Sequence, residues 1–102
     1  MANIEQARRK LTDRILGNSG LASHPQRVGA FHNAGLTGAV AALINKVAME
    51  SWKVTDEDIA AAEAEGLDEE QLFELIVCAA AGQATREYET ALAALHEALK
   101  QE

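Results

Sequence analysis

Residues 54–95 read VTDEDIAAAEAEGLDEEQLFELIVCAAAGQATREYETALAAL, and the punctuation of this stretch decides the fold. Thr55 followed by Asp56, Glu57 and Asp58 is a helix start. The hydroxyl can accept a free N–H of the first turn, and the carboxylates sit where the partial positive charge of a helix N-terminus favours anions. The helix so opened is predicted over Asp56 to about Glu65 and stops at Gly66, a natural C-terminal cap. Asp68, with Gln71 three residues on, opens the next helix in the same way. Leu72, Phe73, Leu75, Ile76 and Val77, then Cys78 and three alanines, leave it almost no polar face. A helix apolar all round must be buried on more than one side, and a chain of this size has few positions that do so. A subunit interface is the simpler expectation. Gly82-Gln83-Ala84-Thr85 predicts a kink or short break, after which Tyr88, Leu92, Leu95 and Leu99 would face inward and Glu87, Glu89, Glu97 and Lys100 outward.

Working back from Val54, Val40, Leu43, Ile44, Val47, Ser51 and Val54 recur at helical spacing, so a helix capped by Thr37 is predicted to fray near Trp52 or Lys53. Residues 21–35 are the least regular. Ser23-His24-Pro25-Gln26 can open a short helix with proline in its first turn, Val28, Ala30 and Phe31 supply its apolar contacts, and Asn33-Ala34-Gly35 closes it. The first helix is predicted from about Ile4 to Leu16. Asn3 and Gln6 would form its capping box, Ile4, Leu11 and Ile15 its apolar stripe, and Arg8, Arg9 and Asp13 its solvent face. The fold class is therefore all-α, a single domain over residues 1–102 built as a five- to six-helix bundle that oligomerises.

Composition agrees with this. Twenty-one of 102 residues are alanine, against one proline and four aromatics, which favours helix over a sandwich or barrel. With 48% hydrophobic and 25% charged residues the chain is too apolar to be disordered. The net charge of −7 is uneven: residues 1–46 carry six basic side chains against two acidic, and the remainder three against fourteen. No basic stripe interleaved with aromatics is present, so nucleic acid is not an expected partner. A basic end of one subunit could instead dock on the acidic end of another, an attraction that salt would weaken. No apolar run approaches the length needed to span a bilayer, and Met1–Glu5 has no apolar core after a basic start, so no membrane association is expected and the cytoplasm is the expected compartment.

Few residues invite chemistry. Cys78 is the only thiol, which leaves no C-x-x-C pair and no multi-cysteine zinc site. Its apolar neighbours, with Glu74 one turn earlier, would disfavour a thiolate, and a small core residue is the simpler reading. His24, His32 and His96 show no i, i+3 or i+4 pairing, so no metal site is expected. His32 is the best placed of the three to line a cleft, and Glu50, followed by Ser51 and Trp52, to stand at a rim. Glu50, His32 and Cys78 are the catalytic candidates. The dispersed glycines form no phosphate-cradling loop, and no cofactor is expected.

Ile44-Asn45-Lys46-Val47-Ala48, Trp52-Lys53-Val54-Thr55-Asp56-Glu57-Asp58-Ile59 and Glu65-Gly66-Leu67-Asp68-Glu69-Glu70-Gln71-Leu72-Phe73-Glu74, taken in order, resemble the carboxymuconolactone decarboxylase and alkylhydroperoxidase D (AhpD-like) superfamily. The resemblance covers residues 37–99; residues 1–36 are only loosely similar. It implies an all-α subunit that assembles as a dimer, trimer or hexamer. Peroxidatic members of that superfamily carry a glutamate, a C-x-x-C pair and a histidine four residues later. Those places fall near Ile44, Ala48, Ser51 and Thr55, none of which matches, and Cys78 lies on the following helix. The resemblance thus implies a member without thiol peroxidase activity, either a small-molecule-binding or a structural oligomer. The alternative is a decarboxylase-type or other proton-transfer enzyme, with Glu50 or His32 beside a base such as Lys46 at a subunit interface. The histidine- and glutamate-bearing helix of the lactone-decarboxylating members is not reproduced either.

Overall fold

The computed structural model describes residues 2–17 and 20–101, and every regular element in them is helical. Helix α1 spans Ala2–Ile15, α2 His24–His32, α3 Gly38–Glu50, α4 Asp56–Glu63 and α5 Glu69–Lys100, with a 3-10 turn at Ser51–Lys53 between α3 and α4.

Three of the starts are capping boxes of the expected composition. The Gln26 N–H donates to Ser23 Oγ, the Asp58 N–H to Thr55 Oγ1 and the Gln71 N–H to Asp68 Oδ1, at 3.2, 3.2 and 2.8 Å, and each N3 side chain returns a bond to the cap. Asn33 closes α2 in the left-handed region (φ 53°), and Gly66 ends the turn after α4 at φ 107°, where a side chain would be strained.

Helix α3 is capped otherwise. Thr37 precedes it but its hydroxyl makes no capping bond. The carboxylate of Glu65 accepts from the Ala39 N–H at 2.8 Å and the Val40 N–H at 3.3 Å instead. An acid from the end of α4 thus satisfies the free donors at the start of α3.

The core lies where α2, α3 and α4 meet the N-terminal half of α5. Leu43 and Ile44 of α3 interlock with Leu72, Leu75 and Cys78 of α5, all almost wholly buried, and Ala30, Phe31 and Ala62 fill the remaining gaps. Fully burying each larger aliphatic side chain contributes about 1.5–3 kcal/mol.

Four local expectations are corrected. Helix α1 begins at Ala2, so Asn3 lies inside its first turn rather than ahead of it. Arg8 does not face solvent alone: it lies on the Ile4–Leu11–Ile15 stripe, and its guanidinium stacks 5.0 Å from the Tyr88 ring centroid. Gly82 does not interrupt α5, which is continuous for 32 residues. Its glycine serves packing: a Cβ there would lie 2.6 Å from the carbonyl carbon of Phe31, so only a hydrogen lets α2 come this close. Leu95 and Leu99 do not face inward but are 52% and 55% exposed, because α5 runs on past every element able to cover them.

The chain is long and thin as a result, with extents of 54 × 29 × 20 Å and a radius of gyration of 15.5 Å. A compact chain of this length has a radius of about 12.8 Å. Its accessible surface is 6849 Å². About 5,600 Å² is usual for its mass, so roughly 1,250 Å² of surface is in excess.

Candidate functional site

The most developed polar arrangement joins the start of α2 to α5. Arg27, one turn into α2, is almost wholly buried. Its Nε donates to the Ala22 carbonyl at 3.2 Å, its Nη1 donates to the Ile15 carbonyl at 2.9 Å, and Nε lies 3.4 Å from Glu74 Oε1. Glu74 in turn accepts from the Leu21 and Ala22 N–H groups, each at 3.0 Å. The cation closes the end of α1 and the segment before α2, and the carboxylate pins that segment to α5. A buried charge needs such a set of partners to be tolerated.

Cys78 lies one turn beyond Glu74, in a small depression that Arg27 and Glu74 also line. Burial pushes its thiol pKa up, the Glu74 charge adds to this, and the Arg27 charge opposes it. The group is held as a buried thiol with no base within bonding reach.

The other two candidates stand elsewhere. Glu50 ends α3 half-buried, and its Oε2 is 2.6 Å from Lys53 Nζ, an ion pair largely open to solvent. His32 is exposed on the last turn of α2, its ring edge-on to Phe31 with centroids 5.1 Å apart. Lys46 is committed to Asp58, its Nζ 2.7 Å from Oδ2. That bond, followed by the one from the Thr55 N–H, holds the Asp58 carboxyl below its usual pKa. Among the described residues, no three His, Cys, Asp or Glu side chains converge as metal ligands, and no helix is long and apolar enough to cross a membrane.

What α5 does expose is apolar. An open depression of about 670 Å³ has Leu21, Phe73 and Val77 as its floor and Glu69, Glu70 and Glu74 at its rim. Phe73 is 67% exposed and Leu21 60%. Beyond it, α1 lies antiparallel along α5 and is tied to it thinly. Tyr88 Oη donates to Glu5 Oε1 at 3.0 Å, Arg8 Nη2 donates to Glu5 Oε2 at 3.1 Å, and Arg8 Nη1 lies 3.8 Å from Glu89. The bond from Arg8, then that from Tyr88, lowers the Glu5 pKa, and the bond to Glu5 raises that of Tyr88.

Arg27 and Glu65 carry two of the long-range polar arrangements and have no signature in the sequence. Both reach backbone groups of distant segments, which no spacing rule announces. Phe73 and Val77 were visible only as members of a run too apolar to divide into faces.

No family model, curated protein or solved structure matches this chain.

Proposed function

We propose that this chain is a non-peroxidatic, AhpD-like subunit that works as a homo-oligomer and serves a structural or binding role rather than a redox one. The observation that supports it best is the excess of roughly 1,250 Å² of surface over that of a compact chain. A stable dimer buries about 800 Å² per partner, so association can remove this excess and leave each subunit ordinarily compact. Large apolar side chains account for part of it: Phe73, Val77, Leu95 and Leu99 are all exposed on α5. The non-redox part rests on the missing cysteine pair and on the burial of Cys78, the sole thiol.

Sedimentation velocity between about 5 and 200 µM is the direct test. A mass at a multiple of 10.9 kDa is expected, and a monomer throughout overturns the oligomer reading. Incubation with an alkyl hydroperoxide and a dithiol reductant tests the second half. Consumption at the blank rate is expected; turnover abolished by Cys78→Ser overturns it.

A further inference from the structure

We infer that a second copy of this chain docks along the outer face of α5, in parallel, with the basic α1 of each copy lying over the acidic edge of the other. The inference deepens the oligomer reading above and rests on it. Phe73, Val77, Ala80, Ala84, Ala91 and Leu95 follow one another at intervals of three, four and seven residues, with Glu87 at the intervening position on its acidic side, which is the spacing of a helix-pairing seam. All six are exposed, and they lie across α5 from its buried line of Leu75, Cys78 and Gly82. The seam is about 33 Å long. Its small central residues let a second helix approach closely, while Phe73 and Leu95 supply bulk at the ends.

Charge selects the occupant. Helix α1 borders one side of the seam, with Ile4, Leu11 and Ile15 turned to Ala81, Ala84 and Tyr88. Leu16 turns from there to the core. At about 100° per residue Lys10 and Arg14 therefore turn the other way, to the side on which the seam lies. Both are exposed. Glu69 and Glu87, about five full turns apart, form a single line along the opposite border of the seam, and both are exposed. Lys10 and Arg14 make one border of the face basic, interrupted at the start of α5 by the exposed Glu70, and Glu69 and Glu87 make the other acidic. A two-fold axis parallel to α5 sets each basic edge on the partner's acidic edge. An axis across α5 sets α1 against α1, basic upon basic, so the parallel pairing is the favoured one.

Sedimentation equilibrium on the full chain and three sets of variants tests this, with circular dichroism confirming the helix content of each. Ala80→Glu places a carboxylate in the seam on an exposed helical position away from the contact with α1, so the monomer tolerates it. It is expected to raise the dimer dissociation constant by at least about 100-fold. Lys10→Glu and Glu87→Lys are each expected to raise it by about 3-fold, and the two together to restore it to within about 2-fold. In a Cys78→Ser background, Ala91→Cys should oxidise to a disulfide-linked dimer, because a parallel axis sets each residue opposite its own copy. An oligomer indifferent to Ala80→Glu overturns the seam while leaving the oligomer reading standing. Singles without effect, a double that fails to restore, or an Ala91→Cys variant that stays uncrosslinked overturns the parallel arrangement. A monomeric wild type up to 200 µM overturns both readings.

Discussion

Gly82→Ala is the substitution on which the packing of α5 can be judged most sharply, because two effects of opposite sign meet there. In a helix interior alanine is favoured over glycine by about 1 kcal/mol, so propensity predicts a more stable protein. The structure predicts the reverse. A Cβ at position 82 would lie 2.6 Å from the carbonyl carbon of Phe31 and 2.9 Å from its Cα, both backbone atoms of α2. The Phe31 carbonyl oxygen would be closer still, and ordinary contact needs about 3.4 Å or more, so α2 would have to retreat by well over an ångström. Ala30 and Phe31 would lift with it, and the 2.7 Å bond donated by Arg86 Nη1 to the Phe31 carbonyl would stretch. Overpacking of this kind costs about 1–3 kcal/mol, and a strained or lost bond to a charged donor about 1.5–3 more. Against the gain in propensity, we expect a net loss of about 2–4 kcal/mol. Urea denaturation followed by circular dichroism measures it, with Ala93→Gly as the exposed-site control, expected to lose about 1 kcal/mol by propensity alone. A Gly82→Ala protein as stable as the wild type or more so would refute the close approach of α2 to α5.

Arg27→Met removes the cation beneath Glu74 and leaves the Ala22 and Ile15 carbonyls without a donor, so a loss of about 2–4 kcal/mol in the same denaturation assay is expected. The tie between α1 and α5 depends on pH at both ends. Glu5 has a lowered pKa, so its contribution is present above 4.5 and is lost as pH falls through the lowered value; Tyr88 has a raised one, so its contribution is present below 10.0 and is lost as pH rises through the raised value. Protection of the α1 amides relative to their intrinsic exchange at each pH should therefore fall at both extremes, and Glu5→Gln should abolish the acid limb. Lys46→Met should bring the Asp58 carboxyl carbon, read by NMR titration, back toward 3.8 while leaving the Thr55 cap in place. Alkylation of Cys78 in the native protein should be at least about 100-fold slower than in denaturant, and a comparable rate would contradict its burial.

Much of the fold was legible because it is written in short-range signals. Ser23, Thr55 and Asp68 announce their helices through partners only three residues away, and Asn33 and Gly66 mark stops by conformations that few other residues adopt without strain. Gly82 shows where such signals mislead. A glycine within a helical pattern has the same appearance whether it ends the helix or admits a neighbour, and only the position of Phe31 decides between them. Arg8 misleads differently, since its aliphatic stem and planar head can pack on Tyr88 while its charge suggests solvent. The candidate residues were the least legible part. Glu50 and His32 were singled out by neighbours in sequence, but their surroundings depend on where α3 and α2 end relative to α5. Glu74, noticed only for its effect on Cys78, proved to anchor the backbone of a segment more than fifty residues away.

The reach of Glu65 to the start of α3 also bears on how the molecule comes apart. At the other end of the same helix pair Lys46 holds Asp58, so α3 and α4 are fastened at two separated points. Neither can fray alone: loosening α4 withdraws the acid that satisfies the Ala39 and Val40 N–H groups, and unwinding α3 strands that acid and frees Asp58. The two helices are therefore expected to open as one cooperative unit, their amides exchanging with a common free energy. Helix α1, held by the Glu5, Arg8 and Tyr88 cluster, a thin apolar contact and the Arg27 bond to its last carbonyl, belongs to another and shallower one.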